Sequence, residues 1–288
     1  MATTGGMKTP SAVILSLFLA LPWSDASADW RINAETGALY ESNLSNSERA
    51  ADEEPDAAWK SNASIGDGFQ LSRNLRVNLA ADLRAVVWDR LDGLDEFGGG
   101  GSVDLRYRFG LGREAPWIAL TERLGYDAFG ESARSRSDET VAVRGGFALS
   151  PRVAVEAGYT FRDSAARDDF FDLQSHSGNV RLVVDLTSSL QIALGYTYRD
   201  GDVISYAVPP RPDILQFADE SRSVSTFGDQ PRYTAYRLNG QTHAVSISAG
   251  HAVTQKLSVQ VSYEYATTAH DPLRYENHSV EAKIAFVY

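Results

Sequence analysis

The sequence predicts an all-β protein. It reads as a single closed antiparallel transmembrane β-barrel of about twelve strands at residues 29–288, behind a cleaved signal peptide at 1–28. Three observations carry the prediction. One module recurs along the chain: a tight polar turn, then a strand of strict period two. Connections between strands alternate between short turns and longer polar loops. The alternating strands are apolar on one face and charged on the other, although no stretch of the mature chain is long and apolar enough to span a membrane as a helix.

The module is clearest at Leu186–Tyr198, where Thr187-Ser188-Ser189 opens a strand with Leu190, Ile192, Leu194, Tyr196 and Tyr198 on one face. Turns at 71–74, 149–152 and 253–256 open strands of the same kind at Leu75, Val153 and Leu257. Side chains alternate across a pleated strand, so each module has one face for a greasy environment and one for a polar environment.

Composition narrows the classes. The 288 residues carry a net charge of −11, which argues against a nucleic-acid partner. There is no cysteine, so disulfides, thiolate metal sites and cysteine nucleophiles are excluded, and a lipid-anchored cysteine after the signal is excluded too. At the N-terminus Lys8, the apolar run Ala12–Pro22 and the small residues Ala26-Ser27-Ala28 read as an export signal, with the mature chain starting at Asp29.

Taken in order, strand one is Trp30 to about Glu41, and Asn43–Asp56 is a surface loop. Strand two runs from about Trp59 to Leu71; Asp67 falls on its apolar face, and a bulge is expected to rotate that end. Strand three, Leu75–Trp88, turns Arg76, Asn78, Asp82 and Arg84 inward. Strand four, Phe97–Phe109, turns Ser102, Asp104, Arg106 and Arg108 inward. Its Gly98–Gly101 run lacks the following Lys-Ser/Thr and helix of a phosphate-binding loop, and marks a bend or a close backbone approach instead. Strand five, Trp117 to about Ala128, carries Glu122 on its apolar face, which requires a local rotation. Gly130–Glu139 reads as a loop.

Strand six turns Arg144 inward. Strand seven turns Glu156, Thr160 and Arg162 inward, and Asp163–Gln174 follows as a charged loop. Strand eight turns Arg181 and Asp185 inward. After strand nine, Asp200–Gly240 is the longest loop, expected as a constriction or lid. Strands ten and eleven carry Val245 and Ile247, then Ser258, Gln260, Ser262 and Glu264. Strand twelve ends the chain with Val280, Ala282, Ile284, Phe286 and Tyr288 facing out. Trp30, Tyr40, Trp59, Phe109, Trp117, Tyr159, Tyr196, Tyr198, Tyr263, Tyr265 and Tyr288 fall near strand ends as an aromatic girdle.

That final alternating strand with its terminal aromatic resembles the C-terminal signature of Gram-negative outer-membrane, porin-like barrel proteins. The resemblance implies outer-membrane lipid around the apolar face and recognition of the strand ending at Tyr288 by barrel-insertion machinery. Tyr40-Glu41-Ser42-Asn43-Leu44 is similar to a Tyr-Asp-Ser-Asn-Val pattern found early in barrels tied to exopolysaccharide export and in surface-lipoprotein assembly modifiers. No helical-repeat domain stands before the barrel here.

The inward face collects the candidate lumen residues Arg76, Arg84, Arg106, Arg108, Arg144, Arg162 and Arg181, with Asp82, Asp104, Glu156 and Asp185; Arg31, Arg123, Arg199, Glu35, Glu264 and Glu281 accompany them. Two uses fit such a face: cross-bracing by ion pairs, or a water-filled pore whose arginine excess favours small polar or anionic solutes, a glycan included. Alternatives are a non-conducting accessory barrel for polysaccharide or lipoprotein export, and an outer-membrane lipid hydrolase. The hydrolase reading rests on His176-Ser177 and Asn277-His278-Ser279. Neighbours on a strand point to opposite faces, so His278 and Ser279 cannot act as base and nucleophile together. The expectation is no catalytic residue, no metal site and no cofactor.

Overall fold

In the computed structural model, residues 30–112, 114–208, 210–227, 233–270 and 273–288 are described. The signal segment therefore lies outside the described residues. The strands are β1 (Arg31–Glu41), β2 (Asp56–Gln70), β3 (Leu75–Trp88), β4 (Glu96–Arg108), β5 (Trp117–Phe129), β6 (Arg136–Ser150), β7 (Val153–Ala166), β8 (Leu173–Asp185), β9 (Leu190–Ala207), β10 (Glu220–Val224), β11 (Tyr233–Ala252), β12 (Leu257–His270) and β13 (Leu273–Val287). All pair antiparallel. Twelve close the barrel: β9 pairs with β11, and β13 returns to β1 from Asn33↔Val287 to Glu41↔Ser279. Closure pairs the backbone groups that hydrocarbon would leave unsatisfied at several kcal/mol each.

The apolar face is the outer one. Leu83, Val87, Phe97, Val180, Val245, Val261 and Ile284 are all exposed, in the alternation the sequence predicts. A soluble barrel would have turned this face inward, so the surrounding solvent is lipid. Four turns of two to four residues and the longer β4–β5 connection lie at one end, together with the two chain ends of the barrel. The other end carries the two longest connections, β1–β2 and β9–β11, and is, by that asymmetry, extracellular.

Three expectations need correction. Pairing through β2 and through β5 runs without a register shift. No bulge rotates Asp67 or Glu122, and both stay on the outer face; Glu122 is buried between its wall neighbours with both carboxylate oxygens unpartnered. Trp117 is no girdle residue. It stands opposite inward Arg108, and its ring lies 4.3 Å beneath the Arg106 guanidinium on the inner face. Finally, most of the predicted loop 200–240 is strand: β9 and β11 stay paired up to Ala207↔Thr234, and β10 adds to β11 beyond the barrel wall.

Candidate functional site: the lumen and its roof

Every candidate lumen residue lies on the inner face, but the structure sorts them into different company. On the extracellular half they are braced. Arg84 donates to Glu96 at 2.8 Å and to Asp127. Arg123 grips Asp82 with two donors at 3.0 and 2.7 Å, the fork geometry that carboxylates favour, and Arg162 pairs with Asp138. Arg136 stands 3.9 Å from Asp127. Glycines of β4 make the space: a Cβ at Gly98 would strike the Asp127 carboxylate, and one at Gly100 would sit 2.8 Å from the Arg123 guanidinium. Gly98 and Gly100, the inward members of the run, thus thin the wall for buried charges.

Lower down, Asp104 receives Asn78 at 2.8 Å and Thr121 at 2.9 Å, with Arg144 at 3.5 Å. Arg181 stands 3.9 Å from Glu156, and Asp185 accepts from Gln191 at 2.8 Å on the far wall. Glu96, Asp127, Arg136 and Asp138 are network members that the sequence reading missed. Arg136 and Asp138 fall in the expected loop 130–139 but belong to β6, and the alternation leading up to Arg144 continues back through them.

The periplasmic end on the β1–β4 side is different. A cavity of about 420 Å³ is lined by Arg31, Arg73, Arg76, Arg106, Arg108 and the polar residues Gln70, Asn74 and Asn78. None of these five arginines forms an ion pair among the described residues. Arg76 and Arg106 are direct cross-strand partners on the same face. Like charges at that spacing repel. Burial leaves the Arg106 Nε without a hydrogen bond. Such a vestibule accumulates anions.

The extracellular mouth is roofed. The β9–β11 ribbon, with a short helix α1 (Pro212–Leu215) and β10, leaves the wall and reaches across it. Its first contact is the β1–β2 loop: Tyr206 N donates to Ser45 O at 2.9 Å, Asn46 Nδ2 to Ile204 O at 2.9 Å, and Arg211 to Glu48 at 3.1 Å. Tyr233 donates to Glu54 in the same loop. Toward the other side Arg222 meets Asp168, Arg134 meets Tyr206, and Thr226 donates to Glu131. The Thr226 carbonyl also packs on Gly93, where a Cβ would come within 2.7 Å. Gly93 lies in the β3–β4 connection, six strand positions around the ring from β9 and β11, so the ribbon spans the full diameter.

Two apolar clusters pin it. One joins Phe170 and Phe171 of the β7–β8 loop to Ile204, Tyr206, Val224, Tyr233 and Ala235. The other joins Val203, Ala207, Ile214, Tyr236 and Leu238 to Leu273 and Tyr275 of β13. The loops below are stiffened by one 3-10 turn each, at Ala50–Asp52, Asp92–Leu94, Ser132–Arg134 and Asp169–Phe171. Asn43, within the Tyr40–Leu44 pentapeptide, is buried and ties the first loop to Ser47 O at 2.8 Å and Glu276 O at 3.0 Å. The charged anchors respond to each other: hydrogen bonding to Arg211 holds the Asp213 carboxyl down at about 2, while burial and the Glu54 carboxylate push the Tyr233 phenol up.

The hydrolase pairing is not assembled. His278 points outward to Tyr263, while Ser279 faces the lumen beside Glu41.

No family model matches the chain, and no curated protein matches it. Among solved structures, the fold is similar to an outer membrane channel from Pseudomonas putida F1, at 13% identity and a TM-score of 0.59, covering 93% of this chain and 97% of that one. The NanC porin aligns over 88% of this chain and 98% of its own at 9% identity and a TM-score of 0.49. Closed circuit, outward apolar face and structural likeness agree: this chain is a twelve-stranded antiparallel β-barrel of the outer-membrane kind.

Proposed function

We propose that the protein is a passive, non-enzymatic porin-like channel for small polar or anionic solutes, with the β9–β11 ribbon as its extracellular lid. The observation that carries the reading is the periplasmic vestibule, where five arginines gather without an ion-pair partner among the described residues. A barrel that needed only bracing would pair these charges as it pairs Arg84 and Arg123, because each uncompensated cation in the wall costs stability. Arg76, Arg84, Arg106, Arg108, Arg144, Arg162 and Arg181 would set the field along the path, moderated by Asp82, Asp104, Glu156 and Asp185. The channel named for the Pseudomonas putida structure supports the reading by fold.

Planar-bilayer recording of the full-length protein across a potassium chloride gradient tests it. Discrete conductance steps with a reversal potential on the chloride side are expected, and Arg76→Ala with Arg106→Ala moves that potential toward zero. The roof favours a second reading, a non-conducting accessory barrel for polysaccharide or lipoprotein export. Electrical silence, both in the wild type and after loosening the ribbon, would establish that reading and end the first.

A further inference from the structure

Three copies of one side-chain arrangement stand on the lipid face of half the barrel. Tyr159 of β7 hydrogen-bonds His176 Nδ1 of β8 at 2.6 Å. Tyr196 of β9 does the same to His243 of β11 at 2.7 Å, and Tyr263 of β12 to His278 of β13 at 2.8 Å. In each, the histidine is the direct cross-strand partner of an aromatic two residues beyond the tyrosine: Phe161, Tyr198 and Tyr265. Ring centroids in these flanking pairs are 5.0, 5.2 and 5.2 Å apart. Each imidazole is thus held between two rings and is exposed outward.

The heights agree as well. His176, His243 and His278 each stand nine residues above the periplasmic end of their strand, at Asp185, Ala252 and Val287. At about 3.3 Å per residue and a tilt near 40°, that is about 23 Å up the barrel axis, the top of an apolar band about 25 Å tall. Two strand spacings separate neighbouring histidines, so they repeat about every 10 Å across the sheet. When the tyrosine hydroxyl donates to Nδ1, the imidazole proton sits on Nε2. No Nε2 has a partner among the described residues.

From this repeat we infer that the three Tyr–His pairs are docking points for phosphate-bearing lipids of the outer leaflet, each Nε2–H donating to a headgroup phosphate oxygen at the hydrocarbon boundary. Carboxylates share the face, and one of them, Asp200, is the direct cross-strand partner of His176. Asp200 is engaged by Tyr198 and Gln241, Asp202 by Arg237, and Glu276 by Tyr265; Asp163 stands beside them. Arg274, four residues above His278 on the same face, donates to Thr267 at 3.3 Å, and the imidazoles are the donors that repeat at the boundary. The inference rests on the outward face alone and is independent of conduction.

The test reconstitutes full-length protein in phosphatidylglycerol vesicles and in vesicles of a phosphate-free glycolipid, and compares thermal midpoints. A higher midpoint in phosphatidylglycerol is expected, and the combined His176→Phe, His243→Phe, His278→Phe variant, which keeps the rings, loses the difference. Native mass spectrometry of single variants covers the case in which the triple variant fails to assemble, each losing about a third of the retained lipid. A wild type indifferent to headgroup, or a difference that survives all three substitutions, overturns the inference. So does an equal shift produced by inorganic phosphate in glycolipid vesicles, which would mark a free-anion site.

Discussion

Replacing Phe170 by alanine should loosen the roof without touching the barrel wall. Phe170 is fully buried, crosses Phe171 edge-on at a centroid distance of 5.1 Å, lies 5.3 Å below the Arg222 guanidinium and fills the cluster that holds Ile204, Tyr206 and Val224. Truncating a buried phenylalanine costs about 3–5 kcal/mol. The pairing with Phe171, about 0.5–1.5 kcal/mol, belongs to the loop itself and is not felt by the ribbon. About 1.5–4.5 kcal/mol then falls on docking, which at about 1.4 kcal/mol per decade raises the undocked-to-docked ratio about 10- to 1,600-fold. Two measurements read this. Hydrogen exchange of amides at 220–227 should quicken by that factor, and bilayer recordings should show correspondingly more frequent openings. Faster exchange with unaltered recordings would show that the ribbon does not gate; unaltered exchange would show that the cluster does not hold it.

The remaining expectations are shorter. Asp127→Asn removes the buried counter-charge of Arg84 and Arg136. Breaking such a pair costs about 3–5 kcal/mol, here at the lower end because Arg84 keeps Glu96, and it shows as unfolding at lower temperature in cold-sample gel mobility. Glu122→Leu should stabilise the barrel in bilayers by about 1–2 kcal/mol, since an unpartnered carboxylate on the lipid face is replaced by an apolar side chain; chemical denaturation in vesicles measures it. Ribbon protection factors, with the base-catalysed rise of intrinsic amide exchange divided out, should be flat from about pH 4 to pH 10. The Asp213 carboxyl is depressed to about 2, so its contribution is complete above the ordinary carboxylate range and is lost as pH falls toward 2. Tyr233 is raised, so its contribution is complete below the ordinary phenol range and is lost only as pH rises beyond it. Removing Tyr288 deletes the two backbone bonds it exchanges with Ile32, at 3.1 and 2.8 Å, and should lower the assembled fraction in outer-membrane preparations.

What the sequence made legible follows the range of the physics. Period-two alternation is local, so Leu75–Leu83 and Leu190–Tyr198 disclose strand, face and solvent without any partner in view. The same alternation placed Arg84, Asp104 and Arg162 on the inner wall. It could not say that Asp127, two strands from Arg84 in the ring, is the partner, because that meeting depends on register and on the space left by Gly98. The ribbon was hidden for a related reason. Val203-Ile204-Ser205-Tyr206 is buried on both faces between the two clusters above the membrane, so it loses the alternation that marks a wall strand and reads as loop. The histidines were hidden in a third way. In sequence His176, His243 and His278 share no spacing at all; they become equivalent only when height is counted from the periplasmic end of each strand. A side chain's role in a barrel is set by face and height together. Sequence alternation supplies the first; only the closed register supplies the second, and the equal height of three imidazoles at the lipid boundary is where the two coordinates meet.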